Sequence, residues 1–152
     1  MKYAFLAMAV LASLVGCKVE HVEEAPATAI GNKFFSALKT GDGEAALALF
    51  APEFRNSEKE WPNLLMALQD KFGVVSSAEL LGATMAAKDD SPCYVLAYSV
   101  KRGSSASDET LFVCRSPNAG TWAIVGQSLV RLDTNQSITG GVMPVEVGVH
   151  VP

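Results

Sequence analysis

Histidine is scarce in this chain: the 152 residues include only His21 and His150, and both lie near a terminus. The imidazole ring is the usual general base beside a serine or cysteine nucleophile and a common ligand of transition metals. The lack of histidine in the central part of the sequence therefore argues against a nucleophilic triad and against a histidine-bound metal. We expect neither a metal site nor a cofactor.

Clusters of basic residues are also lacking. The chain has 12 Lys and Arg against 16 Asp and Glu, a net charge of −4 at pH 7, and its basic residues are scattered. A nucleic-acid-binding surface needs several of them close together to neutralise phosphates, so no nucleic-acid partner is predicted. The acidic pair Asp89 and Asp90 precedes Pro92 and is expected in a solvated turn, because two carboxylates do not complete a calcium site.

No apolar run reaches the roughly 20 residues that a membrane-spanning helix needs. The apolar run at residues 4–15 follows Lys2 and is interrupted only by Ser13. A basic residue followed by a short apolar run is typical of a secretory signal peptide, which is removed from the mature protein.

The sequence LVGC at residues 14–17 resembles a bacterial lipobox at the end of this run. The resemblance implies that residues 1–16 are cleaved off and that Cys17 is lipidated, since several acyl chains together hold a protein firmly on a membrane. Lys18, not Asp, follows the cysteine, which favours the outer membrane, facing the periplasm, over the inner membrane. The membrane is thus a predicted partner through a lipid anchor, and the charged residues 17–29 predict a flexible tether.

Apolar residues then recur at every third or fourth position from Ile30, which indicates an amphipathic helix. This first helix is predicted to end at Gly41, and Asp42 is predicted to cap a short second helix. A third helix is expected to begin near Trp61, with Pro62 at its first position, and to end before Gly73.

After Gly73 the pattern changes to the alternation that is typical of strands, with Gly82 as a candidate β-bulge. Four strands are expected, at residues 74–87, 93–102, 109–115 and 121–132. Helices followed by an antiparallel meander predict an α+β domain over residues 30–132, with the helices on one face of the sheet.

Four segments, FFSALKTGDGEAALALF, YVLAYSV, ETLFV and GTWAIVGQ, resemble small periplasmic domains of the nuclear transport factor 2-like (cystatin-like, cone-shaped) class. The resemblance covers roughly residues 27–132. It implies a strongly bent sheet of about four strands that wraps helices around a conical cavity. It implies no particular activity, because function varies widely across that fold.

Lipidation of the first cysteine would leave Cys93 and Cys114 as a pair in an oxidising compartment. Opposed residues of a hairpin have numbers with a constant sum, here 93 + 114, which centres the turn between Gly103 and Ser104. Composition instead favours a loop at residues 103–108, so either the hairpin is tight or a bulge shifts its register. Both registers bring the thiols onto adjacent strands and predict a disulfide; two buried free thiols are the alternative.

The remaining residues, 133–152, are predicted to form a tail with one apolar face, since four valines alternate with other residues, at Val145, Val147, Val149 and Val151. The alternation predicts an edge strand. This strand either folds back onto its own domain or is added to a partner or a second copy.

Three functions fit these observations. The first, which we prefer, is an envelope lipoprotein whose non-catalytic domain binds a small apolar ligand or an envelope protein. The second is an enzyme that uses a cavity side chain as acid or base, with Asp70, Tyr94 and Tyr98 as candidates. The third is an assembly subunit that acts through the valine-rich tail. An open cavity lined by Tyr or Asp would favour the second function.

Overall fold

A computed structural model describes residues 24–141 together with Val145 and Glu146. These residues form helices followed by an antiparallel sheet, so the α+β prediction is confirmed. The helices are α1 (Glu24–Thr40), α2 (Gly43–Leu47), α3 (Pro52–Ser57) and α4 (Trp61–Phe72). The strands are β1 (Val75–Lys88), β2 (Ser91–Arg102), β3 (Ser105–Arg115), β4 (Trp122–Arg131), β5 (Ser137–Gly141) and β6 (Val145–Glu146). The predicted signal peptide, Cys17 and both histidines lie outside the described residues.

The first helix begins at Glu24, not at Ile30 as predicted. Pro26 is compatible with this start because it lies in the first turn, where a backbone N–H has no acceptor within the helix. Residues 24–29, which were expected to belong to the tether, are therefore helical, and Ala27 is fully buried.

The other helix boundaries follow the sequence signals closely. Asp42 caps α2, since its carboxylate accepts a hydrogen bond of 2.9 Å from the backbone N–H of Ala45. The prediction for α4 is confirmed, because the helix begins at Trp61 with Pro62 in its first turn and is followed by Gly73 at φ +86°. The short helix α3 was not predicted, although it begins with a proline at its first position, as helices often do.

The hairpin of β2 and β3 has the tighter of the two registers considered. Cys93 faces Cys114 and Arg102 faces Ser105, so the turn consists of Gly103 and Ser104 alone. Most of the loop predicted at residues 103–108 is therefore strand. The predicted bulge in β1 is also present, as a register shift between Leu80 and Gly82.

Within the described residues the strand order is β5-β4-β3-β2-β1-β6, which gives two strands more than the four expected. Strand β5 lies beyond the predicted domain boundary at residue 132. Its two glycines permit a close approach to the helices: a Cβ atom on Gly140 would lie 2.5 Å from the ring of Trp61, and one on Gly141 would lie 2.6 Å from the ring of Phe54. Because glycine is depleted in strands, the same residues hide β5 in the sequence.

Aromatic rings fill the space between the helices and the sheet. Phe34 makes edge-to-face contacts with Phe35 and Phe50, at centroid distances of 5.0 and 5.6 Å. The ring of Phe35 also lies 4.5 Å from that of Tyr98 on β2. These rings are all buried, so they fill the interior of the domain and leave it packed.

Helix α1 approaches the sheet closely at Gly31. A Cβ atom there would lie 2.3 Å from the hydroxyl oxygen of Tyr98 and 3.1 Å from a methyl carbon of Leu96. The Tyr98 hydroxyl is buried and has no hydrogen-bond partner among the described residues. Glycine is therefore needed here for space, although alanine is the better helix former.

We expect Gly31→Ala to lower the free energy of unfolding by about 1–3 kcal/mol, the usual cost of overpacking a core. Tyr98→Phe alone should be neutral or stabilising, because it removes a buried hydroxyl without a partner. The double variant should recover most of the loss, since it removes the shortest contact. Urea titrations of the three variants measure this, and a Gly31→Ala protein more stable than the wild type would contradict the close approach.

Candidate functional site

A cluster of buried polar side chains lies on the face of the sheet that carries the aromatic core. The Arg102 guanidinium pairs with the Glu109 carboxylate, and the Ser107 hydroxyl donates a hydrogen bond of 3.1 Å to the same carboxylate oxygen. The other carboxylate oxygen accepts a bond of 3.1 Å from the Gln127 amide, whose own oxygen accepts one of 3.2 Å from the Trp61 indole N–H. We call these five residues the inner polar cluster.

Strand periodicity explains how these polar residues come to lie inside. Side chains two residues apart share a face, so Arg102 continues the face of Tyr98 and Val100, and Glu109 continues that of Leu111. The sequence analysis did not predict this cluster. The sequence did contain a signal for it: Arg102 and Glu109, which carry opposite charges, fall at inward-facing positions of two neighbouring strands.

The inner polar cluster has no room for a substrate. Glu109 is 1% exposed, and both of its carboxylate oxygens accept hydrogen bonds from protein groups. A void of about 10 Å³ borders Arg102 and Ser107, which is close to the minimum for one water molecule. The cluster therefore ties α4 to the sheet through Trp61, and it offers no reactive group to a ligand.

The three candidate acid–base residues are not brought together. Asp70 is exposed on α4, whereas Tyr94 and Tyr98 are each 2% exposed within the core. Burial raises the pKa of Tyr98 from its ordinary value of 10 to about 12, so its hydroxyl stays protonated at neutral pH. Neither tyrosine is therefore accessible to a bound molecule, and Asp70 lies apart from them on the surface of α4.

The predicted disulfide is present between Cys93 and Cys114. The two cysteines face each other directly on β2 and β3, with their Cα atoms 4.1 Å apart. By the alternation of side chains they lie on the opposite face from Tyr94 and the aromatic core. Val95 and Val125 pack against the disulfide, so the outer face of the sheet has a small apolar cluster of its own.

A cleft of about 350 Å³ opens beside this disulfide, and we call it the turn-end cleft. Its floor is apolar and is formed by Cys114, Ala123 and Val125. Its walls come from three connecting segments, at residues 51–53, 88–91 and 115–121. The cleft thus lies at the end of the sheet where the β1–β2 and β3–β4 turns meet.

Local chemistry fixes both turns that border the cleft. Asp89 and Asp90 form the two-residue β1–β2 turn with φ of 48° and 63°, which is the pattern of a type I′ turn. The expectation that they occupy a turn is confirmed. In the β3–β4 turn, the N–H of Ser116 donates to the carbonyl of Thr121 and the N–H of Gly120 donates to the carbonyl of Ser116. Backbone hydrogen bonds and turn geometry therefore fix the conformation of these two walls of the cleft.

The rim of the turn-end cleft carries charges of both signs. Lys88 and Asp89 lie 3.9 Å apart, and Glu53 and Arg115 also line the cleft. The Arg115 Nε–H donates a hydrogen bond of 3.3 Å to the carbonyl of Gly120. An apolar floor beneath a polar rim suits a small amphipathic molecule.

The described residues contain no group of three or more His, Cys, Asp or Glu side chains that could hold a metal ion. Within the same residues, no helix combines the length and the apolar character needed to cross a membrane.

No protein-family model, no curated protein and no solved structure matches this chain.

We expect Glu109→Gln to lower the free energy of unfolding by about 3–5 kcal/mol, because it leaves the Arg102 charge buried without its partner. The matched control is Glu79→Gln, which removes an exposed carboxylate on β1 and should change stability by less than about 0.5 kcal/mol. Urea unfolding followed by tryptophan fluorescence compares the two. Equal stability of both variants would show that the buried ion pair of Arg102 and Glu109 does not contribute to the stability of the fold.

Proposed function

We propose that this chain is a lipid-anchored protein of the bacterial cell envelope, whose non-catalytic domain binds a small amphipathic ligand in the turn-end cleft. One observation supports the binding role. Aromatic rings and the hydrogen-bonded inner polar cluster fill the interior, whereas the turn-end cleft has about 350 Å³ of free space. Ligand sites usually enclose about 300–1,000 Å³ and combine an apolar lining with a few polar groups, as this cleft does.

The proposal assigns the domain to the cone-shaped, nuclear transport factor 2-like class. Helices that precede an antiparallel meander support this assignment, and so does the bulge at Gly82 in the long strand β1. In this domain the inner space is packed, so the ligand would bind on the outer face of the sheet.

The compartment is inferred from two independent features. The Cys93–Cys114 disulfide is stable in an oxidising environment such as the periplasm. The LVGC sequence at residues 14–17 is the candidate lipobox, and it assigns the remaining cysteine to acylation. Together they support a lipid-anchored domain in the periplasm, and Lys18 after the cysteine favours the outer membrane.

The tether between anchor and domain is short. Six residues separate Cys17 from Glu24, where α1 begins, and the seven Cα–Cα steps between these two residues span at most about 25 Å. The domain would therefore stay close to the membrane surface.

The direction of α1 determines which end of the domain lies nearest the anchor. In the middle of α1, Gly31 lies against Tyr98 on β2, and just past the end of α1, Gly41 lies close to Val74 ahead of β1. Since β1 runs from Val74 toward the β1–β2 turn, the start of α1 lies toward the end of the sheet that bears the cleft. The proposed ligand site would thus be on the membrane-proximal side.

The anchor is tested by replacing the acceptor thiol. We expect Cys17→Ser to move the protein from the membrane fraction to the soluble fraction and to abolish its labelling by a fatty-acid analogue. Lys18→Ser is the matched control, and it should leave both properties unchanged. Labelling that persists in Cys17→Ser would refute the assignment.

The cleft is tested with 1-anilinonaphthalene-8-sulfonate, a dye with apolar rings and one anionic group. Thr121→Trp places a large side chain at the cleft, whereas Thr134→Trp places one on the exposed β4–β5 connection as a control. We expect the first variant to weaken dye binding roughly tenfold, or about 1.4 kcal/mol, and the second to bind as the wild type does. Equal binding by both variants would remove the cleft as the ligand site.

A further inference from the structure

The connection between β4 and β5 contains a sequence motif that the proposed ligand site does not use. Residues 135–137 read Asn-Gln-Ser, which is the Asn-X-Ser/Thr acceptor sequence of N-linked glycosylation, with a middle residue other than proline. The chain has five asparagines, and only Asn135 is followed two positions later by a serine or threonine. The motif therefore singles out one asparagine.

The structure places the whole motif on the surface. Every residue from Leu132 to Ser137 is exposed, so Asn135 and Ser137 are both accessible to another protein. Acceptor sites of this kind belong in surface loops, because the attached glycan is bulky and strongly hydrated. The β4–β5 connection meets that requirement.

Backbone hydrogen bonds hold the connection in a defined turn. The N–H of Asn135 donates a bond of 2.8 Å to the carbonyl of Arg131, and the N–H of Arg131 donates one of 2.9 Å to the carbonyl of Gln136. Asn135 has a φ of 54°, in the left-handed region where asparagine is enriched among non-glycine residues. The turn thus accounts for the asparagine, whereas Ser137 at the start of β5 supplies the second element of the motif.

We propose that Asn135 is a glycan acceptor, modified in the periplasm by a membrane-bound oligosaccharyltransferase whose donor is a polyprenyl-diphosphate-linked oligosaccharide. The Nδ2 atom of Asn135 forms a bond to the anomeric carbon of the first sugar, and the bond between that carbon and the diphosphate oxygen breaks. Polyprenyl diphosphate is the leaving group, and Nδ2 gives up one proton to a base of the transferase.

An acidic side chain beside the motif offers the transferase a charged group to recognise. Asp133 lies two residues before Asn135, and its side chain is 52% exposed although it pairs with Arg131. A carboxylate forms strong charge-assisted hydrogen bonds with an arginine of a partner protein. The proposed acceptor sequence therefore extends over residues 133–137.

The motif lies at the end of the sheet opposite the turn-end cleft. Strand β4 begins at the β3–β4 turn, which borders the cleft, and its 10 residues carry the chain roughly 30 Å along the strand to Arg131. A glycan on Asn135 would therefore leave the cleft open. This inference rests on the proposed periplasmic location, but it depends on neither the cleft nor its ligand.

A reconstituted reaction with the folded full chain tests the acceptor site without any need for export. The protein is incubated with a purified bacterial oligosaccharyltransferase and a polyprenyl-diphosphate-linked oligosaccharide, and is then cut with trypsin. No Lys or Arg follows Arg131, so the fragment 132–152 contains Asn135 as its only asparagine. We expect mass spectrometry to show that this fragment gains the mass of one oligosaccharide.

Variants identify the groups that the transfer needs. Ser137→Ala should lower the modified fraction at least roughly tenfold, whereas Ser137→Thr should be modified as the wild type is. Asp133→Asn should slow the transfer roughly tenfold, and an unchanged rate would remove Asp133 from the acceptor sequence. Asn135→Gln should abolish modification. The matched control is Asn56→Gln, which changes an exposed asparagine outside any such motif and should have no effect.

Two results would overturn the proposal. The first is a folded chain that stays unmodified while a synthetic peptide of residues 131–139 is modified, which would show that the turn withholds the motif. The second is modification that persists in Ser137→Ala. Failure of the compartment is a separate outcome: a chain modified in the reconstituted reaction, but never in cells that contain the transferase, would contradict the periplasmic location and support the acceptor site.

Discussion

The two-residue turn between β2 and β3 is the constraint on which the rest of the structure depends. With only Gly103 and Ser104 in the turn, the register of the two central strands is fixed along their whole length. The choice of register decides which side chains face inward, because a slip by one residue would exchange the two faces. The aromatic core, the buried ion pair and the disulfide all follow from that choice.

On the inner face, the register brings an ion pair into a region that contains few other polar groups. Arg102 and Glu109 are both nearly inaccessible, and such a pair is tolerable only when its remaining hydrogen-bonding groups are satisfied. Ser107 and Gln127 provide those bonds, and Gln127 carries the connection on to Trp61 of α4. The same bonds that make the charges acceptable also occupy the carboxylate, so stability at this place excludes ligand binding there.

The sequence analysis succeeded where a feature depends on local rules and failed where it depends on tertiary contacts. The pairing of Cys93 with Cys114 was predicted because two cysteines remain after Cys17, and the hairpin arithmetic was consistent with it; the start of α4 followed from the position of Pro62. The start of α1 at Glu24 was missed, because burial of Ala27 against the domain stabilises a turn that has little helical pattern. Strand β5 was missed because its glycines are selected for their fit to aromatic rings, which a strand propensity does not register.

The candidate site shows the same division. The residues of the turn-end cleft come from three separate segments, and their meeting point depends on how the strand ends are arranged in space. The disulfide connects the predictable hairpin with the unpredicted cleft, because one register both joins the cysteines and places Cys114 on the floor of the cleft. A covalent bond at the floor restricts the separation of β2 and β3 at the point where the ligand would contact them. The disulfide would therefore help the cleft floor to keep its shape, which suits the proposed binding surface on the outer face of the sheet.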